Sequence, residues 1–212
     1  MIKFIKIALV FTVLFLVSCG SVTDITGYWS EESYMGKTYN KLAVVAITSS
    51  ILNRDIVEKS FVNKFTTNGY DAIEGSKILS PEVIKRKDKS EIEGILKTNN
   101  IDGVLILSVI DIKESEHYVP GTTEYYPSPY YNNYYNYYYY SYDRSYSPGY
   151  YAKSVEVYLE SNFYNLDDGN LVSTMQTETV DPTNIDDLAD SFSKTIVKFM
   201  VENAIIKKTI KE

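Results

Sequence analysis

Cysteine, histidine and tryptophan each occur once in these 212 residues. A lone cysteine, Cys19, rules out any internal disulfide. With a lone histidine, His117, Cys/His zinc clusters of the usual kind are excluded, and at most one histidine base is left. Positive charge is also short. The formal net charge is -7, and removal of residues 1–18, with Lys3 and Lys6, takes it to -9. An acidic chain is a poor binder of polyanions, so nucleic acid is not an expected partner. No apolar run reaches the roughly 20 residues that a membrane-spanning helix needs.

The longest apolar run, Ile7 to Val17, is broken only by Thr12 and follows a start carrying Lys3 and Lys6. A charged start, a short apolar stretch and small residues at its end make an export signal. Leu16-Val17-Ser18-Cys19 resembles the bacterial lipobox. In that motif the cysteine becomes the acylated first residue of the mature chain. One acyl chain binds membranes marginally, whereas two anchor stably. Gly20 and Ser21 follow, with no aspartate beside the cysteine; by the enterobacterial sorting convention this resembles an outer-membrane destination. Residues 1–18 are therefore read as a lipoprotein signal peptide, with palmitate-type acylation at Cys19. Residues 19–40 have no clear period and are read as a tether that packs on the domain near its end.

Beyond the tether, Leu42 to Ile47 is continuously apolar, the pattern of a strand covered on both faces. Val57, Phe61 and Phe65 then repeat at helical spacing, with Asn53 as the expected cap and Gly69 at the end. Tyr70 to Glu74 is a short predicted strand. Ser80-Pro81 has the form of a helix start. Ser90-Glu91-Ile92-Glu93 fits a capping box into a helix that stops at Asn99-Asn100. Val104 to Ile112 is a predicted central strand whose polar continuation to Val119 leaves the core. Ser154 to Tyr164 alternates, with Val155, Val157, Leu159 and Phe163 on one face. Asp167-Asp168-Gly169-Asn170 signals a hairpin turn, and Leu171 to Val180 pairs back. A last helix spans about Ile185 to Asn203, carrying Leu188, Phe192, Ile196, Phe199 and Met200 on one stripe. The predicted fold is α/β: a small mixed sheet, with a βαβαβ parallel part followed by an antiparallel hairpin and a C-terminal helix. The domain covers 41–206, interrupted at 120–150, and 207–212 is a tail.

Residues 120–150 hold 13 of the 21 tyrosines and almost no aliphatic residue, so they cannot build a core of their own. Tyr134, Tyr135, Tyr137, Tyr138, Tyr139, Tyr140 and Tyr142 are the candidate binding residues. Three readings stay open: a low-complexity loop, a recognition surface for protein or sugar, and contact with a membrane interface. A spanning hairpin is disfavoured, because Tyr137 to Tyr140 does not alternate as a lipid-facing strand must.

Catalytic patterns are sparse. Gly75-Ser76-Lys77 has the wrong glycine spacing for a phosphate loop. There is no Gly-x-Ser-x-Gly elbow. His117 lies at the polar end of a strand and reads as an exposed side chain. Asp167 and Asp168 read as turn residues, and Lys85-Arg86-Lys87-Asp88-Lys89 as a solvated connection. No cofactor, metal site or enzymatic activity is expected.

The order of elements behind the lipobox resembles an α/β domain shared by curli-secretion lipoproteins, the N-terminal domain of TolB-like proteins and lipoprotein activators of penicillin-binding proteins. The matching pieces are Lys41 to Val45, Asn68-Gly69-Tyr70, Asn100 to Leu105 and Asp168 to Val172. The secretion family builds a pore from extra spanning hairpins, and no amphipathic hairpin pair is visible here. The sequence thus predicts a lipid-anchored, non-catalytic envelope protein, a binding or assembly module for another envelope component, with the tyrosine loop as part of the contact. The alternatives are peptidoglycan or carbohydrate binding through stacked tyrosines, and a subunit of an oligomeric secretion complex.

Overall fold

The computed structural model describes residues 21–80, 83, 89–119 and 150–208. The chain divides into two compact units, Met1–Ile112 with Glu156–Glu212, and Lys113–Val155.

The strands are β1 (Val22–Ser30), β2 (Thr38–Tyr39), β3 (Leu42–Ile47), β4 (Ala72–Glu74), β5 (Gly103–Val119), β6 (Tyr150–Asn165), β7 (Leu171–Val180) and β8 (Lys207–Lys208). The helices are α1 (Ile51–Thr67), α2 (Lys89–Thr98) and α3 (Ile185–Glu202). Six strands form one sheet in the order β1-β7-β6-β5-β3-β4, and β2 pairs with β8 separately. β3 runs parallel to both β4 and β5, while β7 is antiparallel to β6 and to β1. The mixed α/β sheet predicted from the sequence is therefore present.

Alternation decides the layers. Leu42, Val44, Leu105, Leu107, Val157, Leu159, Phe163 and Met175 are buried on the face that α1 and α3 cover. α1 and α3 also pack on one another, with the Phe61 and Phe192 rings edge-to-face at 5.0 Å. The opposite face of β3 and β5 presents Ala43, Val45 and Val104 to α2, where Leu96, Ile101 and Leu79 complete a second core.

Each of these three helices stops on a residue with positive φ: Gly69 (79°), Asn100 (58°) and Ala204 (53°). In α1 the Gly69 N–H bonds Thr66 O at 2.9 Å and the Tyr70 N–H bonds Phe65 O at 3.0 Å. These bonds satisfy carbonyls that the helix leaves unpaired, and the Phe65 and Tyr70 rings close the cap 6.3 Å apart. Tight strand contact needs glycine at 103, where a Cβ would lie 2.8 Å from both Leu42 and Phe163.

Four details differ from the sequence reading. The stretch read as a tether contains β1, an edge strand paired with β7 along its whole length, and β2. Its inward side chains are Thr23, Ile25, Tyr28 and Ser30, and a bulge between Ile25 and Gly27 breaks the alternation. Ser50, not Asn53, caps α1: its hydroxyl accepts the Asn53 N–H at 3.2 Å. α2 begins at Lys89, so Ser90 lies inside it. Lys207 and Lys208 form β8 rather than a free tail, because Gly36 N–H to Ala204 O and Lys207 N–H to Lys37 O tie the two segments together. Of the Ser80-Pro81 helix start, Pro81 lies outside the described residues and Val83 is helical.

Candidate functional site

The sheet has two unlike ends. The beginning of β3, the β6–β7 turn and the segment after β1 share one of them. There Asp168 sits in the turn and Gly169 takes φ 75°. One Asp168 carboxylate oxygen accepts from Asn165 Nδ2 at 2.8 Å and from the Asn170 N–H at 3.0 Å. The other accepts from the Tyr34 hydroxyl. These donors hold the Asp168 carboxyl down at about 2, with the Tyr34 bond as the largest cause. The same bond pushes the Tyr34 phenol up. Lys37 Nζ reaches Asn165 Oδ1 at 2.8 Å and Asp167 Oδ2 at 2.7 Å. Next to them, Asp102 accepts from the Asn40 and Lys41 N–H groups at 2.7 and 3.1 Å. Asp167 and Asp168 are thus turn residues, as their spacing predicts.

A groove of about 870 Å3 runs from this polar cap along the α2 face of the sheet. Its floor is apolar (Val45, Leu96, Val104, Ile106 and Leu166) and Glu93, Lys97 and Asp167 stand on its rim. A groove with apolar walls and a few polar groups at the edge suits ligand or peptide binding. No group of three or more metal-ligating side chains occurs among the described residues.

A buried ion pair occupies the junction of α1 and β3. Glu58 is fully buried and Arg54 nearly so. Glu58 Oε1 accepts from Arg54 Nε at 2.8 Å and from the Ala46 N–H at 3.0 Å. Its Oε2 accepts from the Ser76 N–H at 2.6 Å. Arg54 Nη1 donates to Leu79 O at 3.3 Å. This carboxylate binds helix, strand and the 3-10 turn Gly75–Lys77 into one unit. It also explains why Gly75-Ser76-Lys77 cannot cradle a phosphate: the Ser76 N–H is taken, and the buried negative charge beside it repels an anion. Glu58 reads in the sequence as one of several helix carboxylates. Its position one turn before Phe61 and two before Phe65, on the core-facing side, is the only signal.

Cys19 and Tyr134, Tyr135, Tyr137, Tyr138, Tyr139, Tyr140 and Tyr142 lie outside the described residues, as does most of the Lys85 to Lys89 run. The unit Lys113–Val155 contributes the ends of β5 and β6, where Glu116 and Lys153 pair at 3.0 Å and the Tyr118 and Tyr151 rings meet at 5.3 Å. His117 is exposed there, consistent with its reading as a surface side chain. The described residues begin at Ser21, two after Cys19. The Ser21 N–H donates to Asp187 Oδ1 at 3.0 Å and its hydroxyl to Asp187 O at 3.4 Å, fastening the chain start to the first turn of α3. Asp187 also accepts from the Thr183 N–H at 2.9 Å. The Thr183 and Ser21 N–H groups lower its pKa.

No protein-family model matches the sequence, and no curated protein matches it. The structure is similar to the PelC dodecamer from Paraburkholderia phytofirmans at 10% identity and TM-score 0.46, covering 83% of this chain and 95% of that one. It is similar to lipoprotein GNA1162 from Neisseria meningitidis at 11% identity and TM-score 0.41, covering 76% of this chain and 98% of that one. A PDZ domain protein from Parabacteroides distasonis is similar at 10% identity and TM-score 0.31, covering 92% of this chain and 40% of that one.

Proposed function

We propose that the chain is a lipid-anchored, non-catalytic module of the bacterial envelope, held by Cys19 at the outer membrane, which binds another envelope component. The carrying observation is the Leu16-Val17-Ser18-Cys19 motif behind a charged and apolar start. The groove beside α2 and the tyrosine segment supply binding surface. Tyrosine gives a large, stiff contact face with a polar tip at low entropic cost, which suits a protein or a glycan.

The tyrosine run favours a second reading, in which that segment stacks on the sugars of peptidoglycan. A photoreactive residue at Tyr138 in living cells separates the two. A protein adduct at Tyr138, with the same partner lost from affinity capture of the anchored protein when residues 120–150 are deleted, supports protein binding. Adducts with purified cell-wall material alone support the glycan reading. If the deletion leaves every captured partner unchanged, the segment has no part in binding.

A further inference from the structure

The apolar side chains left on the surface are not scattered. Val22 opens β1 and pairs with Val180 at the end of β7, which pairs in turn with Glu156 in β6. β6 ends beside the start of β5, since the Leu166 N–H bonds Asp102 O at 2.9 Å. Glu156 is therefore about ten residues along β5, near Ile112, where the first unit ends. β3 runs parallel to β5 and finishes with Ile47 opposite Ser108. α1 begins four residues after Ile47. Val22, Val180, Ile47, Val109, Ile110 and the α1 start thus share one end of the unit. These residues are among its most exposed large apolar side chains, with Ile51 at 74%, Leu52 at 67% and Val22 at 64%. An apolar pocket of about 90 Å3 opens among Ile47, Val109 and Ile185 at the same end. The first turn of α1 holds Ile51 and Leu52 and no acidic residue, although carboxylates are the side chains that a helix start favours.

What covers this end follows from where the described chain begins. Only Gly20 separates Cys19 from Ser21, and Ser21 is fastened to Asp187. Two residues of extended chain span at most about 7 Å. If Cys19 carries the acyl chains, as the function proposed above requires, the membrane surface lies within that reach of Ser21, next to Val22. We infer that this whole end of the unit rests on the bilayer, with Val22, Ile47, Ile51, Leu52, Val109 and Ile110 at headgroup depth. Exposed carboxylates Asp24, Asp55, Asp181 and Asp186 border the patch, so anionic lipid is repelled and the surface suits zwitterionic lipid. The opposite, polar end of the sheet, with Asp102, Lys37 and Asp168, then faces the aqueous side.

Leu52 is the telling position. β3, which leads into α1, is four strands from β1, or about 19 Å at the usual spacing. A unit that hinged freely at its anchor would bring only Val22 to the lipid. Trp29, near the other end of β1, is about 23 Å from Val22 at strand rise and serves as the internal control. The experiment uses mature protein extracted from cell membranes and reconstituted into phosphatidylcholine vesicles whose acyl chains are brominated near the headgroup. One sample keeps the native Trp29, and the other carries Leu52→Trp with Trp29→Phe. We expect at least twofold quenching and a blue shift for the Leu52→Trp probe, and unchanged emission from Trp29. An Ile110→Trp probe in the same background should behave as the Leu52→Trp probe does. The mass of the N-terminal peptide is read on the same extract. Acylated protein with an unquenched Leu52→Trp probe overturns this inference alone and assigns the patch to a protein partner or a second copy. A peptide without acyl mass overturns the anchor, and this inference with it.

Discussion

Asp168 illustrates how hydrogen bonds give a turn residue an unusual acidity. Its carboxylate receives the Tyr34 hydroxyl, the Asn165 amide and the Asn170 N–H, all of which favour the charged form. The folded pKa, about 2, lies below the ordinary aspartate value of 3.8. A depressed carboxyl stabilises the fold above its unfolded pKa, and that contribution disappears as pH falls from 3.8 towards 2. In a carbon-13 titration of the side-chain carboxyls, Asp168 should be among the last carboxyls to protonate. Tyr34→Phe should move its midpoint up towards the ordinary range; an unmoved midpoint contradicts the assigned cause. Glu58 is the other residue whose removal has a defined outcome. Arg54 would be left buried without its carboxylate, and breaking one side of a buried pair costs about 3–5 kcal/mol. Chemical denaturation of Glu58→Ala should show a loss of that size, whereas a loss under about 1 kcal/mol would mean that water reaches Arg54.

At the scale of elements, the central strands and the helices were legible because their burial is aliphatic and their periods are clean. Leu42 to Ile47, Val57–Phe61–Phe65 and the stripe of α3 follow the spacing that burial demands, whereas the buried face of Leu171 to Val180 holds Ser173, Met175, Thr177 and Thr179, and the turn before it marked the strand. β1 was not legible, for a physical reason. Its inward positions include Thr23 and Ser30, which meet Thr179 at 2.7 Å and Ser173 at 2.9 Å through hydroxyl–hydroxyl bonds. Its outward positions include Val22 and Trp29. The hydropathy is thus inverted relative to an ordinary half-buried strand, and the bulge resets the phase. Loss of β1 should expose the β7 edge to pairing with other chains. A chain starting at Asn40 should aggregate or lose cooperative unfolding, while one starting at Gly20 stays monodisperse. Equal behaviour of the two in sedimentation would return residues 20–39 to the role of a tether. The Glu58 junction was illegible for a different reason: a buried carboxylate depends on three donors from separate segments, and no local pattern encodes that meeting.

For the whole molecule, the anchor proposed at Cys19 lies two residues before the described chain. No helix among the described residues is long and apolar enough to cross a membrane. With the sheet beginning at Val22, a lipidated Cys19 leaves no slack, and the anchor sets the orientation of the unit as well as its location. Binding surface is then available on the α2 groove and at the polar end of the sheet. The tyrosine segment enters the chain between Val119 and Tyr150, beyond what the structure describes. Its contribution was read from composition alone, since a segment without aliphatic residues carries no packing signal.

The most direct test is intact and peptide mass spectrometry of the mature protein from its native membrane. The account predicts a chain that begins at Cys19 and carries the mass of roughly two or three acyl groups. An unmodified Cys19, or a first residue anywhere else, contradicts it.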